Sequence, residues 1–230
     1  NDVYATNIEN TGTGATTFQA NVVATNVNVN AGTSTFQDNL TAATTTISTG
    51  TGNFNTVSGA TTSDLRFTDN GTANLNNGLT GNVTTTADNK GTLNLVGSSN
   101  QTVTGPVGAS GASLAEVNAG ANGSTSTFAN DVYATNTNIG SGRVDFNTVS
   151  RITNTNIIFT DNGTANLLNG LTGNIDFAGK DATVNVSDGK GILGSVQTLA
   201  SNNTGIINYQ GDGTISGNIG SSSHGIKELN

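Results

Sequence analysis

Phe67 to Val83 reads FTDNGTANLNNGLTGNV, and the string returns nearly unchanged as FTDNGTANLLNGLTGNI from Phe159 to Ile175. A match of this length within one chain marks a duplicated unit, with the copies 92 residues apart. Thr33-Ser34-Thr35-Phe36 returns as Thr125-Ser126-Thr127-Phe128, and Phe54-Asn55-Thr56-Val57-Ser58 as Phe146-Asn147-Thr148-Val149-Ser150, at the same offset. The unit therefore covers 33–83 and 125–175 without an insertion. Beyond it the offset drifts. Thr92-Leu93-Asn94-Leu95 matches Thr183-Val184-Asn185-Val186 at 91, and Thr102 to Gly108 matches Thr214 to Gly220 at 112. The second copy has gained about 20 residues, which is one structural repeat if each repeat touches only its neighbours.

A shorter period runs inside the unit. Phe18, Phe36 and Phe54 are 18 apart, as are Phe128 and Phe146, and Phe159 and Phe177. The step from Phe54 to Phe67 is only 13, so the period is not strict. Between these marks the pattern alternates as a strand does: Val27-Asn28-Val29-Asn30, Leu93-Asn94-Leu95 and Val184-Asn185-Val186 send apolar and polar residues to opposite faces. Asn70-Gly71, Asn77-Gly78, Asp188-Gly189 and Asp212-Gly213 punctuate the runs with residues that accept tight corners. No helical periodicity is present. Short strands, Asn and Gly corners and a coil near 18 residues predict an all-β fold: a right-handed parallel β-helix (β-solenoid) of about a dozen coils, one repeat domain over residues 1–230. At the inter-strand spacing the rod is on the order of 55 Å long. Valine, isoleucine, leucine, phenylalanine, alanine and threonine are expected inside, with asparagine ladders at the corners.

Composition fits this thin architecture. Only 33% of residues are hydrophobic and 5% aromatic, too few for one large round core but enough for a narrow column. Charged residues reach only 10% and there is one proline, while β-branched residues abound, which argues for order over disorder. The net charge is −8 and the seven basic residues are scattered, so neither nucleic acid nor an anionic membrane surface is an expected partner. No apolar run approaches the roughly 18 residues of a spanning helix, so no membrane insertion of this segment is expected. Without cysteine there is no disulfide framework or thiolate metal site.

Each chemical motif meets a plainer explanation. His224 is the sole histidine, and no G-x-S-x-G elbow accompanies it, so it reads as a loop residue. Gly189 to Gly194 fits G-x-G-x-x-G, but no helix is expected after it. Asp64, Arg66 and Asp69 are the best candidates for a polysaccharide-cleaving site, yet the duplicate keeps only Asp161 and has Asn156 and Ile158 in the other places. Gly211-Asp212-Gly213 is not a tandem calcium repeat. The glycan-acceptor patterns at Asn70 and Asn162 are expected by chance in such a composition. A threonine ladder able to bind ice needs threonine at one place in successive coils, and the runs Thr44-Thr45-Thr46 and Thr84-Thr85-Thr86 do not recur at the 18-residue step. No catalytic, cofactor-binding or metal-binding residue is assigned, no cofactor is expected, and the chain is not read as an enzyme.

The runs TFQANVVATNVNV, GTLNLVGSSNQTVTGPVG with ASLAEVNAG, and FTDNGTANLNNGLTGNV resemble the passenger regions of rickettsial outer-membrane surface antigens, the outer membrane protein A and B or surface cell antigen family of autotransporters. The resemblance implies an exported passenger on the bacterial cell surface, acting in host-cell adhesion, invasion or as a coat. It carries no catalytic motif. The expected function is an extracellular adhesin or autotransporter passenger stalk whose partner is a receptor on a host or neighbouring cell. The alternative is a self-assembling fibre or surface-layer subunit. Leu114 to Asn118 is echoed by Ile226 to Asn230 at the end of the sequence, so the segment reads as cut from a longer array or built to associate end to end.

Overall fold

A computed structural model describes residues 1–57, 59–147 and 153–230. Ser58 and the second-copy residues Thr148, Val149, Ser150 and Arg151 therefore lie outside the described residues, as does Ile152. All strand pairs named below are parallel, and the chain winds through about eleven turns of a β-solenoid. The only helix among the described residues is a single 3-10 turn, Ala121–Gly123.

Each coil has three faces, and continuous columns of buried side chains run along each of them. The first face runs Val3, Val22, Leu40, then Leu79, Val103, Phe128, Phe146, Leu167, Val186 and Tyr209, with Thr61 between Leu40 and Leu79. The second runs Ile8, Val27, Thr45, Leu65, Val83, Val107, Val132, Thr153, Leu171, Ile192 and Ile215. The third holds Ser34, Gly52, Ala73, Leu93, Val117, Thr137, Ile157, Ile175 and Val196. Nearly every apolar member between the end coils is fully buried. Packing each residue between the same positions of the coils above and below is how so little apolar material suffices.

The phenylalanines read from the sequence stack in register. Ring centroids of Phe18 and Phe36 are 5.0 Å apart, and those of Phe36 and Phe54 are 5.5 Å apart, with the planes nearly parallel. Phe128 stacks on Phe146 at 5.6 Å and Phe159 on Phe177 at 5.3 Å. The 18-residue coil holds only where the corners are tight. Phe54 pairs with Leu75, not with the next phenylalanine, and Gln101 pairs with Ser126, because longer corners lengthen those coils.

The duplicated unit is not a whole number of coils. From Leu65, four coils lead through Val83, Val107 and Val132 to Thr153, and Ile157, the copy of Leu65, lies one face further on. The second copy is therefore turned by one face of the triangular section. In the first copy the long strand Leu40–Ile47 spans faces one and two, while Thr33–Phe36 and Thr51–Phe54 form face three. In the second, Val132–Ile139 spans faces two and three, and Thr125–Phe128 and Arg143–Phe146 form face one. Fine detail travels with the sequence. The pairing register slips between Thr41 and Thr44 and again between Tyr133 and Asn136. The interior hydroxyl pair Thr45–Ser63 at 2.9 Å returns as Thr137–Thr155 at 3.0 Å. Gly81 and Gly173 take φ of 147° and 141°, and a Cβ on either would lie 2.1 Å from the Ser63 or Thr155 carbonyl oxygen, so both corners require glycine. Val103 and its counterpart Ile215 are separated by five coils and one face, so the added residues do form one whole coil.

Candidate functional surface

Outward residues of the short strands form columns along the rod. On face three, Asn53 Nδ2 donates to Thr35 Oγ1 at 3.2 Å, and Asn74, Asn94, Asn118 and Asn138 each donate to the Oδ1 of the asparagine one coil below, at 2.6–2.8 Å. On face one the chain of bonds starts at Asp145, which accepts from Arg143 Nε at 2.6 Å and from Asn166 Nδ2 at 2.5 Å. It continues through Asn185, Asn208 and Asn230 at 2.7, 3.0 and 2.8 Å. These ladders stand on the flat strands, whereas the sequence pattern points to corners. The strand places one side chain per coil at the inter-strand spacing, and an amide that both donates and accepts bridges that gap. Linked amide bonds polarise one another, which stiffens the surface.

A threonine column stands beside the first ladder. Thr33, Thr51, Thr72 and Thr92 align in successive coils, and Glu116 ends the row. The expectation that threonines do not repeat by coil holds for the runs at 44–46 and 84–86 but misses these single residues, whose spacings of 18, 21 and 20 hide them from a fixed period.

Corners are held by a second device, in which a side-chain oxygen accepts a backbone N–H from the next coil. Asp64 Oδ1 takes the Asn82 N–H at 2.8 Å, and its counterpart Asn156 takes that of Asn174 at 3.0 Å. Asn174 takes the Ser195 N–H at 2.8 Å, and Asp88 takes both the N–H and the hydroxyl of Ser113. Such bonds satisfy donors that the strand ladder leaves open.

The sequence candidates for chemistry are placed accordingly. Asp64 supports the corner at Asn82, and Arg66 points outward from the same strand. Asp69 pairs with Lys90 Nζ at 2.8 Å, and that hydrogen bond, helped by the Asn70 N–H, holds its carboxyl below the usual carboxylate range. The Ser113 hydroxyl and N–H lower Asp88 in the same way. His224 sits in a turn with its Nδ1 2.9 Å from Ser223 Oγ. Lys190–Leu193 of the glycine motif is a strand that pairs with Gly213–Ile215, so no helix offers its N-terminus there. Asp212 donates its N–H to Asp188 Oδ1 as a corner support. Among the described residues no three His, Asp or Glu side chains are grouped to hold a metal ion. A shallow hollow of about 300 Å³ by Gly170, Thr172, Gly191 and Leu193 is lined by threonine, glycine, leucine and Asn169, without an ionisable group. No family model, curated protein or solved structure matches the chain.

Proposed function

We propose that the chain is a segment of an extracellular bacterial surface protein, a stiff stalk that presents an adhesive surface to a host or neighbouring cell. The observation that carries this reading is the uninterrupted stack of coils whose outer faces repeat asparagine and threonine along the axis. A surface of this kind offers many equivalent weak contacts in a line, and a linear array gains strength through multivalency. The resemblance to rickettsial passenger regions supports the compartment. The test is adhesion of beads coated with the purified chain to cultured host cells, against beads coated with a β-solenoid of unrelated surface. Binding that falls with soluble chain as competitor supports the reading, and binding equal to the control removes it. Electron microscopy of the same preparation separates single rods from filaments, and uniform filaments would favour the fibre-subunit alternative.

The threonine column favours a second reading. Thr33, Thr51, Thr72 and Thr92 with Thr35, Asn53, Asn74 and Asn94 form a flat two-column array, the arrangement needed to order a water lattice against ice. Thermal hysteresis of the purified chain tests it, and growth of ice crystals unchanged from buffer excludes it.

A further inference from the structure

Asn70-Gly71 and Asn162-Gly163 lie in identical local sequence, Thr68 to Leu75 matching Thr160 to Leu167 residue for residue. Their surroundings differ. Asn162 is tied to the next coil, its Oδ1 accepting the Asp181 N–H at 2.9 Å, and the Gly163 N–H donates to the Asp161 carbonyl at 2.9 Å. Asn70 is exposed, and its side-chain amide makes no hydrogen bond among the described residues; the Gly71 N–H likewise has no acceptor there. Asn77, which also precedes a glycine, is tied at both ends of its amide, to the Thr56 carbonyl and to Ser99 Oγ.

We infer that Asn70 is a site of spontaneous deamidation in the folded rod and that Asn162 is protected. The Gly71 amide nitrogen, after losing its proton to hydroxide, bonds to Asn70 Cγ. The Cγ–Nδ2 bond breaks, ammonia leaves and a five-membered succinimide remains. Water then opens the ring at either carbonyl, leaving aspartate or isoaspartate, so the net change is one water consumed and one ammonia released. Glycine after the asparagine removes the Cβ that would crowd this attack. An amide held by a hydrogen bond must first break it, whereas the Asn70 side chain rotates without that loss. The product sets a new carboxylate beside the Asp69–Lys90 pair, and the isoaspartate form adds a backbone methylene at a corner between stacked coils.

The duplication supplies its own control. The purified chain is incubated at mildly alkaline pH, folded or in denaturant, and then digested with trypsin. Cleavage after Arg66 and Lys90 isolates Asn70, and cleavage after Arg151 and Lys180 isolates Asn162. Fragment spectra then locate the deamidated residue. In denaturant the two sites convert at equal rates, because their local sequence is the same. In the folded chain Asn70 converts roughly five- to tenfold faster than Asn162, the factor that one hydrogen bond held in the starting state supplies. Asn70→Gln removes the fast conversion and leaves the folded β signal unchanged. Equal rates in the folded chain, a faster Asn162, or conversion only after unfolding would each overturn the inference.

Discussion

Asn74 and Asn166 hold the same place in the two copies of the duplicated unit, yet Asn74 points out of the third face of the rod and Asn166 out of the first. The strands, the register slip, the interior hydroxyl pair and the corner glycines all moved with the sequence by one face. Local sequence therefore decides what a stretch becomes, a long two-face strand or a short one-face strand. The coil imposes only that the three faces close. Where the copies differ is in what they meet above and below, and those differences set how much each residue contributes.

The rings give the largest expected contrast. Phe36 lies between Phe18 and Phe54, whereas its counterpart Phe128 lies between Val103 and Phe146. Either change to alanine empties a buried site and is expected to lower stability by about 3–5 kcal/mol, with Phe36→Ala worse by about 0.5–1.5 kcal/mol for the extra ring contact. Urea unfolding read alongside hydrogen exchange of the neighbouring coils checks both, since a solenoid loses structure locally. Equal losses would show that ring stacking adds nothing to burial.

The ladders come next. Asn74→Ala breaks two amide bonds between neutral groups, at about 1–2 kcal/mol. Asn166→Ala also strips a donor from the buried Asp145 and is expected to lose about 1 kcal/mol more. The Arg143 bond to Asp145 remains in that variant, so a loss no larger than that of Asn74→Ala would mean that the arginine alone satisfies the acid.

Thr61 and its copy Thr153 are expected to respond with the opposite sign. Both are buried in apolar columns, and neither Oγ1 has a hydrogen-bond partner among the described residues. Valine has nearly the same shape without the stranded hydroxyl, so Thr61→Val and Thr153→Val each gain about 0.5–2 kcal/mol in thermal unfolding. A loss at one site alone would break the equivalence of the copies.

The smallest effect is in acid. Asp69 and Asp88 are favoured as carboxylates in the fold. Their contribution is full above the ordinary carboxylate value of 3.8 and disappears as pH falls through the lowered folded values. Asp69→Asn should therefore narrow the gap between neutral and acid stability in a circular-dichroism titration, and an unchanged gap would assign the acid sensitivity to other groups.

Much of the fold was legible because it rests on local signals. Alternating Val27-Asn28-Val29 and corner pairs such as Asn70-Gly71 need no distant partner to be read, and the drift from 92 to 112 disclosed a whole added coil. The one-face turn of the second copy was not legible, since it depends on corner lengths that no single stretch records. Asn53, Asn74, Asn94 and Asn118 likewise sit at steps of 21, 20 and 24, so the ladder emerges only once the coils are stacked. Asp64 and Asp69 each have a side-chain hydrogen bond, and Asp212 a backbone one, that sequence spacing does not reveal.

The unit of four coils and one face also behaves as a screw. One and three share no common factor, so each further copy of the unit would advance its asparagine ladder by another third of a turn, and the fourth copy would return it to its starting side. Growth by tandem duplication would wind the same surface chemistry evenly around the axis, giving a rod with no preferred side.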